Sequence, residues 1–270
     1  MRALPLPTDS NPDVFDDCTR GTYRPRSLRL KVIRAYVLAV DRQFGIASAA
    51  SVAHLFPQSY SFSAQLKSDM IWLYEKKFRD VRRAQALWDR LLIAAPDNLC
   101  PHCGGDPPVE LDHCLPKSKF PQLSVTPTNL VPICRNCNAY KLANDKGSLN
   151  PYSDHWAIDE PWLEALVDDY QNPRMMTFVV RRVSSWDVHQ QRSADANFAD
   201  FDLATRYRAR ASVEIGTRMD GLSRFFRGNG LAAVVAELRL ERDNYAAIDQ
   251  NCWQRAAFDA LIVSAPRVFI

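Results

Sequence analysis

Four cysteines stand in two Cys-x-x-Cys pairs, and their spacing indicates a metal site. The first pair is Cys100 and Cys103, and the second pair is Cys134 and Cys137. Four thiolates complete the tetrahedral coordination of a structural zinc ion and leave no open position for catalysis. The 30 residues between the pairs exceed the spacing of a simple zinc ribbon, so this segment must itself fold. The alternative is that the four cysteines are ordinary buried thiols. Two Cys-x-x-Cys pairs are improbable by chance among seven cysteines.

The segment between the cysteine pairs predicts a strand, a loop, a second strand and a helix. Val109–His113 has the pattern of a short strand that ends in two side chains able to bind a metal, and Asn129–Ile133 that of a second strand. The loop between them is too rich in proline for regular structure. The run Arg135–Ala143 lacks Gly and Pro and predicts a helix. This helix places Asn138 and Lys141 three residues apart on one face.

These residues resemble the ββα-metal fold of the HNH endonucleases, in the branch that carries zinc-binding cysteines. The resemblance covers roughly residues 98–155 and is carried by Asp112-His113, Asn129 and the string CRNCNAYK at 134–141. It implies that His113 is the general base and that Asp112 binds a divalent metal. It also implies that Asn129 orients the base.

The last position of the family motif, often histidine, is Asn138 in this chain. The resemblance then implies that an amide oxygen binds the catalytic metal together with Asp112. Such oxygen ligands suit Mg²⁺ or Mn²⁺, whereas an additional imidazole favours nickel, cobalt or zinc. The resemblance therefore implies hydrolysis of phosphodiester bonds in DNA, which most relatives cut, with His113 deprotonating water and the metal stabilising the leaving oxygen. Lys117 and Lys141 are candidates for contacts with phosphate oxygens.

Two alternatives from other functional classes remain open. In the first, the zinc module only binds nucleic acid, and this interpretation is favoured if Asp112 or His113 faces into a core. In the second, the protein is an assembly subunit whose site acts only within a complex. A pocket where His113, Asp112 and Asn138 converge favours catalysis instead.

We expect mainly structural roles for the cysteines outside the two pairs and for the histidines near the HNH motif. His102 lies inside the first cysteine pair and is expected to face solvent, because four thiols already complete a zinc site. Cys18, Cys114 and Cys252 fit neither pair and are expected to act as small buried hydrophobes. His155 follows the nuclease segment, and an auxiliary role there is a weaker alternative.

The flanking sequence predicts an α+β, mostly α protein, in which helical regions surround a small ββα-metal core with a structural zinc. We expect an N-terminal arm and helical region at 1–97, an HNH nuclease core at 98–157 and a mostly helical C-terminal region at 158–270. Met1–Asp17 is rich in proline and aspartate and predicts an irregular arm.

Apolar spacing predicts the individual flanking elements. Upstream, the predicted helices are Arg26–Asp41, Ser63–Lys77 and Phe78–Ala94. Downstream, the predicted helices are Glu160–Tyr170, Ala199–Ile215, Met219–Phe226, Leu231–Tyr245 and Asn251–Ser264, with a strand at Met175–Val183.

The positive charge is concentrated upstream of the cysteines. Residues 1–98 contain 15 Lys and Arg against 10 Asp and Glu, whereas residues 158–270 contain 14 against 16. The candidate contacts to the nucleic-acid backbone are Arg24, Arg26 and Arg29, with their neighbours Arg20, Lys31 and Arg34. A second cluster comprises Lys76, Lys77, Arg79, Arg82 and Arg83. The alternative for both clusters is an ordinary solvated face.

Composition predicts a cytoplasmic protein with no membrane contact. No uninterrupted apolar run approaches the length of a membrane span. The first residues also lack the apolar stretch of a signal peptide, so we expect none. Free thiols that bind a metal fit a reducing compartment better than disulfides do.

The chain contains no Walker-type loop, so it cannot hydrolyse a nucleotide by that route. The strings DHCLPKSKFP and NLVPICRNCNAYK resemble the nuclease subunits of prokaryotic anti-phage systems such as Septu. That resemblance implies a partner ATPase, whereas a free-standing nuclease is the competing interpretation. The sequence leaves the oligomeric state open.

Overall fold

The computed structural model describes residues 1–9, 11–57, 62–78, 82–141 and 149–270. The chain divides into two compact units, Arg2–Asp154 and His155–Ile270. Within the described ranges each unit is mainly helical and contains one two-stranded antiparallel sheet. The expected α+β, mostly α fold class is therefore confirmed. None of the helices in these ranges is both long and apolar enough to cross a membrane.

Residues 1–9 contain no helix or strand, in agreement with the predicted irregular arm, but helix α1 (Asn11–Thr19) shows that the prediction is wrong from Asn11 to Asp17. Val14, Phe15 and Cys18 are buried on one face of α1. The proline and aspartate content was misleading, because Pro12 lies in the first helical turn, where its missing N–H has no intrahelical partner. Packing of the apolar face then stabilises a helix that composition alone does not favour.

Three further helices complete the helical part of this unit: α2 (Arg24–Ala49), α3 (Ala64–Trp72) and α4 (Arg82–Ile93). Helix α3 continues directly into a π-helical stretch, Leu73–Phe78. The predicted start of α3 is confirmed, because the Ser63 hydroxyl accepts a hydrogen bond from the backbone N–H of Leu66 at 3.2 Å. Residues 79–81, within the predicted helix Phe78–Ala94, lie outside the described residues.

One apolar core joins these helices to the first strand of the unit. Its members include Phe15, Leu30, Met70, Phe78, Leu87 and Leu111. This core places the helices behind the strand that carries the Asp-His pair. The connections include short 3₁₀ turns at Ala53–Leu55, Pro96–Asn98, Pro121–Leu123 and Pro127–Asn129.

The segment between and beyond the cysteine pairs folds as predicted, in the order strand, loop, strand, helix. Strand β1 (Glu110–His113) pairs antiparallel with β2 (Leu130–Ile133), with Asp112 opposite Val131. Helix α5 (Arg135–Lys141) follows directly. The prediction carried this helix to Ala143, and residues 142–148 lie outside the described residues.

In the C-terminal unit a β-hairpin replaces a predicted helix. After the short helix α6 (Trp156–Asp159), β3 (Leu163–Val167) pairs antiparallel with β4 (Met176–Val180). The helix prediction for Glu160–Tyr170 is therefore wrong. Buried and exposed residues alternate along β3, which is the period of a strand.

A tertiary contact explains why this segment is not helical. The side-chain oxygen of Asn251 accepts hydrogen bonds from the backbone N–H groups of Trp162 and Leu163 at 2.8 and 3.2 Å. Trp162 itself is almost completely buried. These distant contacts override the local helix preference of the Leu-Glu-Ala-Leu run.

The rest of the C-terminal unit is helical: α7 (Val188–Asp200), α8 (Leu203–Ile248) and α9 (Trp253–Val268). Helix α8 is interrupted at Gly230, whose φ of 80° and ψ of 176° suit glycine. On either side of it, Arg218 pairs with Glu241 at 3.2 Å and the Tyr245 hydroxyl donates to Glu214 at 3.0 Å. The two parts of α8 therefore run antiparallel, and the predicted break near Gly230 is confirmed.

Candidate active site

The four cysteines of the two pairs converge, and their ligand atoms lie within 4.8 Å of one another. All four are buried. The Sγ atoms of Cys103 and Cys134 are 3.8 Å apart. Zinc–sulfur bonds of about 2.3 Å in a tetrahedron place the sulfurs about 3.8 Å apart. The cluster is therefore compatible with a structural zinc.

The local backbone positions these thiols. The first pair forms a tight turn in which the N–H of Gly104 donates to the carbonyl of Cys100 at 2.8 Å. The φ of Gly104 is 60°, a value that glycine adopts without strain. In the second pair, the N–H of Cys137 donates to the Cys134 sulfur at 3.4 Å. Such N–H···S contacts stabilise thiolates, the form that binds zinc.

The electrostatics of the cluster also favour thiolates on two of its members. Hydrogen bonds from neighbouring thiols, first of all Cys100, lower the pKa of Cys134 to about 7. The same neighbour lowers the pKa of Cys103. One prediction about this region is wrong: His102 is only 2% exposed and does not face solvent.

Strand β1 divides the candidate residues between its two faces. Successive side chains of a strand point in opposite directions, so Leu111 and His113 share one face, while Glu110 and Asp112 share the other. The first face packs against the helical core, where the Tyr74 hydroxyl donates to the carbonyl of Leu111 at 2.5 Å. The second face lies against α5.

His113 is held by two contacts on the core side. Its Nε2 lies 2.9 Å from the carbonyl oxygen of Ser124, and its ring meets the Tyr74 ring edge-on with centroids 4.4 Å apart. Because a carbonyl only accepts, Nε2 carries the proton in this contact and Nδ1 is the basic nitrogen. Burial lowers the pKa of His113 to about 4, so its imidazole is neutral near pH 7.

Asn129 holds the loop that fixes His113. Its side-chain oxygen accepts from the N–H of Leu115 at 2.8 Å. Its amide donates to the carbonyls of Leu115 and Leu123, at 3.1 and 3.2 Å. Leu123 directly precedes Ser124, the partner of the His113 ring. Asn129 therefore contacts the supporting loop and makes no hydrogen bond to the imidazole itself.

On the opposite face of β1, α5 brings an ammonium and an amide to two carboxylates. Lys141 Nζ lies 2.7 Å from Asp112 Oδ2, and the Asn138 amide contacts the Glu110 carboxylate. Burial alone raises the pKa of Asp112, but the charge and hydrogen bond of Lys141, together with contributions from His113, outweigh it, so this pKa lies below its usual value. Carboxylate and amide oxygens on one face form a donor set that fits a hard divalent cation.

The ββα element, with its cysteine cluster and Asp-His strand end, has a counterpart among known families. Residues 100–142 match the HNH endonuclease family. We call these residues the HNH segment. Over the whole chain, "Protein ea31" of Escherichia phage lambda is 25% identical over 289 residues, which cover 97% of this chain and 97% of that relative. No solved structure matches the chain.

Two lysines of the HNH segment were predicted phosphate contacts. Lys117 Nζ lies 3.4 Å from Glu75 and 4.8 Å from the centroid of the Tyr74 ring. The Tyr74 ring therefore contacts both the Lys117 ammonium and the His113 imidazole. Lys141 instead lies at Asp112, with its side chain only 5% exposed.

The predicted arginine cluster on α2 is partly occupied by ion pairs within the fold. Arg26 and Arg29 both contact the buried carboxylate of Asp69, at 2.8 and 2.6 Å. Arg26 also stacks over the Trp72 ring at 4.1 Å. Arg24 is exposed. In the second basic cluster, Arg79 and the side chains of Arg82 and Arg83 lie outside the described residues.

Sequence reasoning missed three residues that lie at the candidate site of the HNH segment. Glu110 was detectable, because it stands two residues before Asp112 and a strand places such residues on one face. Ser124 acts through its backbone carbonyl, which carries no residue signature. Tyr74 lies 37 residues before Leu111, and nothing local to either residue indicates their contact.

Two cavities in the described residues lie in the C-terminal unit and not at the HNH segment. One, of about 470 Å³, is lined by β3 and α9, including Glu164 and Arg255. The other, of about 610 Å³, is lined by α8 and α9, including Arg218 and Phe258. The candidate active site is instead a surface across β1 and α5 with a buried imidazole behind it.

Proposed function

We propose that this protein is a divalent-metal-dependent endonuclease that hydrolyses phosphodiester bonds in DNA. The observation that carries the proposal is the fixed imidazole of His113, whose Nε2 lies 2.9 Å from Ser124 O. This contact leaves Nδ1 as the basic nitrogen of a neutral ring. The match of residues 100–142 to HNH endonucleases supports the same class of reaction.

In the proposed reaction, His113 Nδ1 takes a proton from water, and the oxygen of that water attacks the phosphorus. The bond from phosphorus to the 3′ oxygen breaks, and this oxygen takes a proton from solvent, which leaves 5′-phosphate and 3′-hydroxyl ends. When bound by oxygens of Asp112 and Asn138, Mg²⁺ or Mn²⁺ supplies charge stabilisation for the phosphate and the leaving oxygen. Asn129 keeps the loop at Ser124 in place, and Lys117 contacts a neighbouring phosphate oxygen.

The upstream helices supply the rest of the proposed DNA contact. Arg24 is exposed at the start of α2. Arg26 and Arg29 remain 27% and 37% exposed in spite of their ion pairs with Asp69. These guanidinium groups contact backbone phosphates without reading sequence.

A second candidate is a non-catalytic, zinc-dependent subunit that binds nucleic acid or assembles with other proteins. One observation favours it: His113 is only 4% exposed and packs against Tyr74, while Asp112 is paired with Lys141. Catalysis then requires water to reach Nδ1 at the edge of the buried ring. DNA binding without cleavage, in the presence of divalent metal, is the outcome that distinguishes this candidate.

We further propose that the nuclease acts in the cytoplasm in bacterial anti-phage defence, together with a partner ATPase. The resemblance of the motif strings to Septu-type nuclease subunits supports this role. The relative in phage lambda connects chains of this kind with phages. Plating phage on cells that express the chain with its genomic neighbours tests the role, and equal plating with and without the chain contradicts it.

Replacement of the proposed metal ligand tests the enzymatic proposal. We expect Asp112→Asn to slow cleavage of plasmid DNA on the order of a hundredfold or more, because the amide weakens binding of the divalent cation. The measurement is the initial cleavage rate at several Mg²⁺ concentrations. Asp159→Asn, at an exposed carboxylate of the C-terminal unit, is the matched control and should cut at the wild-type rate. Equal rates for all three proteins contradict the proposed role of Asp112.

A further inference from the structure

Lys141 is an unusually placed lysine, because its ammonium is buried within the proposed metal-binding face. Its side chain is 5% exposed, whereas lysine is rarely buried without a partner. Its Nζ lies 2.7 Å from Asp112 Oδ2, at direct ion-pair distance. As the last residue of α5, Lys141 reaches β1 from the same helix face as Asn138.

A second contact fixes the ammonium in this position. Lys141 Nζ also donates to the backbone carbonyl of His113 at 2.7 Å. The ammonium therefore bridges the side chain of Asp112 and the backbone of the next residue. Two short contacts from one buried charge hold the end of β1 against α5.

On this face, the Lys141 ammonium and a divalent cation compete for the carboxylate of Asp112. Glu110 and Asp112 contribute two carboxylates, Asn138 is neutral, and Lys141 supplies one positive charge. A divalent ion bound to Asp112 must lie within a few ångströms of Lys141 Nζ. At that distance the ion and the ammonium repel each other strongly, because little bulk water screens them. Either the ammonium moves away from the carboxylate or the ion binds weakly.

We propose that Lys141 is an internal counter-cation that occupies Asp112 until a divalent ion displaces it. This inference rests on the proposed function, because it concerns the same carboxylate. Lys141 is then a positioning residue that sets the affinity for the metal. It keeps the partly exposed Asp112 ionised and correctly placed, and it opposes the entry of weakly bound cations.

Removal of the charge tests the inference through metal binding, without DNA. We expect the zinc-loaded full chain with Lys141→Met to bind Mn²⁺ at least about tenfold more tightly than wild type. Free Mn²⁺ is measured by electron paramagnetic resonance. Lys141→Arg keeps the charge and should stay near the wild-type affinity. Lys67→Met makes the same chemical change at a partly exposed lysine of α3 and should also leave the affinity unchanged. Equal or weaker binding by Lys141→Met overturns the inference.

A measurement on the wild-type chain keeps the inference testable if Lys141→Met does not fold. In nuclear magnetic resonance spectra of the lysine side chains, Mg²⁺ should shift or remove the ¹H–¹⁵Nζ signal of Lys141. An unchanged signal at saturating Mg²⁺ overturns the inference.

The two proposals fail in distinguishable ways. If wild type binds Mn²⁺ and Asp112→Asn binds it equally well, the proposed catalytic metal site is wrong. If binding depends on Asp112 but does not tighten in Lys141→Met, only the role of Lys141 is wrong.

Discussion

We expect the Cys137→Ser variant to lose a zinc ion that the wild-type chain binds in a one-to-one ratio, and to lose the folded HNH segment with it. Cys137 is buried among the other three thiols, so its removal leaves an incomplete tetrahedral set. Structural zinc sites contribute binding free energies of about 10–16 kcal/mol in small domains, and this energy is folding energy. Native mass spectrometry measures the zinc, and hydrogen exchange measures protection of β1, β2 and α5.

The same cysteine-to-serine change at Cys252 provides the control. Its sulfur caps α9 by accepting from the N–H of Arg255 at 3.4 Å, and serine is a favourable residue at that position. Cys252→Ser should keep both zinc and protection. A wild-type chain without zinc, or a Cys137→Ser chain that retains it, contradicts the structural zinc site.

The second large effect concerns His113, and we expect His113→Gln to cut supercoiled plasmid about 10²–10⁴-fold more slowly than wild type. Glutamine carries an N–H that can still reach Ser124 O, but it has no basic nitrogen. A lower cleavage rate therefore reflects the missing proton acceptor more than reduced packing against Tyr74. Initial rates at saturating Mg²⁺ provide the measurement.

The control for His113 is His54→Gln, because His54 is exposed and lies outside the HNH segment. This variant should cut at the wild-type rate. The thermal unfolding of both variants shows whether they fold like wild type. A folded His113→Gln chain that cuts as fast as wild type contradicts the role of His113 as the base.

The elements of the HNH segment were predictable because their signals are local. The cysteine pairs define their own metal site, and prolines mark the loop between β1 and β2. Asn138 and Lys141 are neighbours on α5 by helical spacing alone. The order of β1, β2 and α5 therefore follows from residues that lie next to one another in the chain.

The errors in the flanks arose where tertiary packing decides the structure. Helix α1 depends on burial of Phe15 and Cys18 in a core formed with other helices. Strand β3 depends on Asn251, which lies 89 residues from its partner Trp162. Neither contact leaves a local trace, so composition favoured a loop in one case and a helix in the other.

The candidate site shows the same division. Asp112, His113, Asn129 and Asn138 were identified from the motif, and strand alternation places Asp112 and His113 on opposite faces of β1, but the motif did not indicate which face packs against the core. Nor did it indicate that Lys141 pairs with Asp112, since this contact depends on how α5 crosses the sheet. The support of His113 by Tyr74 and Ser124 depends on long-range packing and a backbone carbonyl.

The most direct test of the central claim is nicking of supercoiled plasmid by the zinc-loaded wild-type chain, with Mg²⁺, with Mn²⁺ and with EDTA. We expect nicked and linear DNA with either divalent metal and none with EDTA. The products should carry 5′-phosphate and 3′-hydroxyl ends. Intact plasmid under every condition, from a chain that is folded, loaded with zinc and able to bind DNA, contradicts nuclease activity of this chain and supports the non-catalytic binding role.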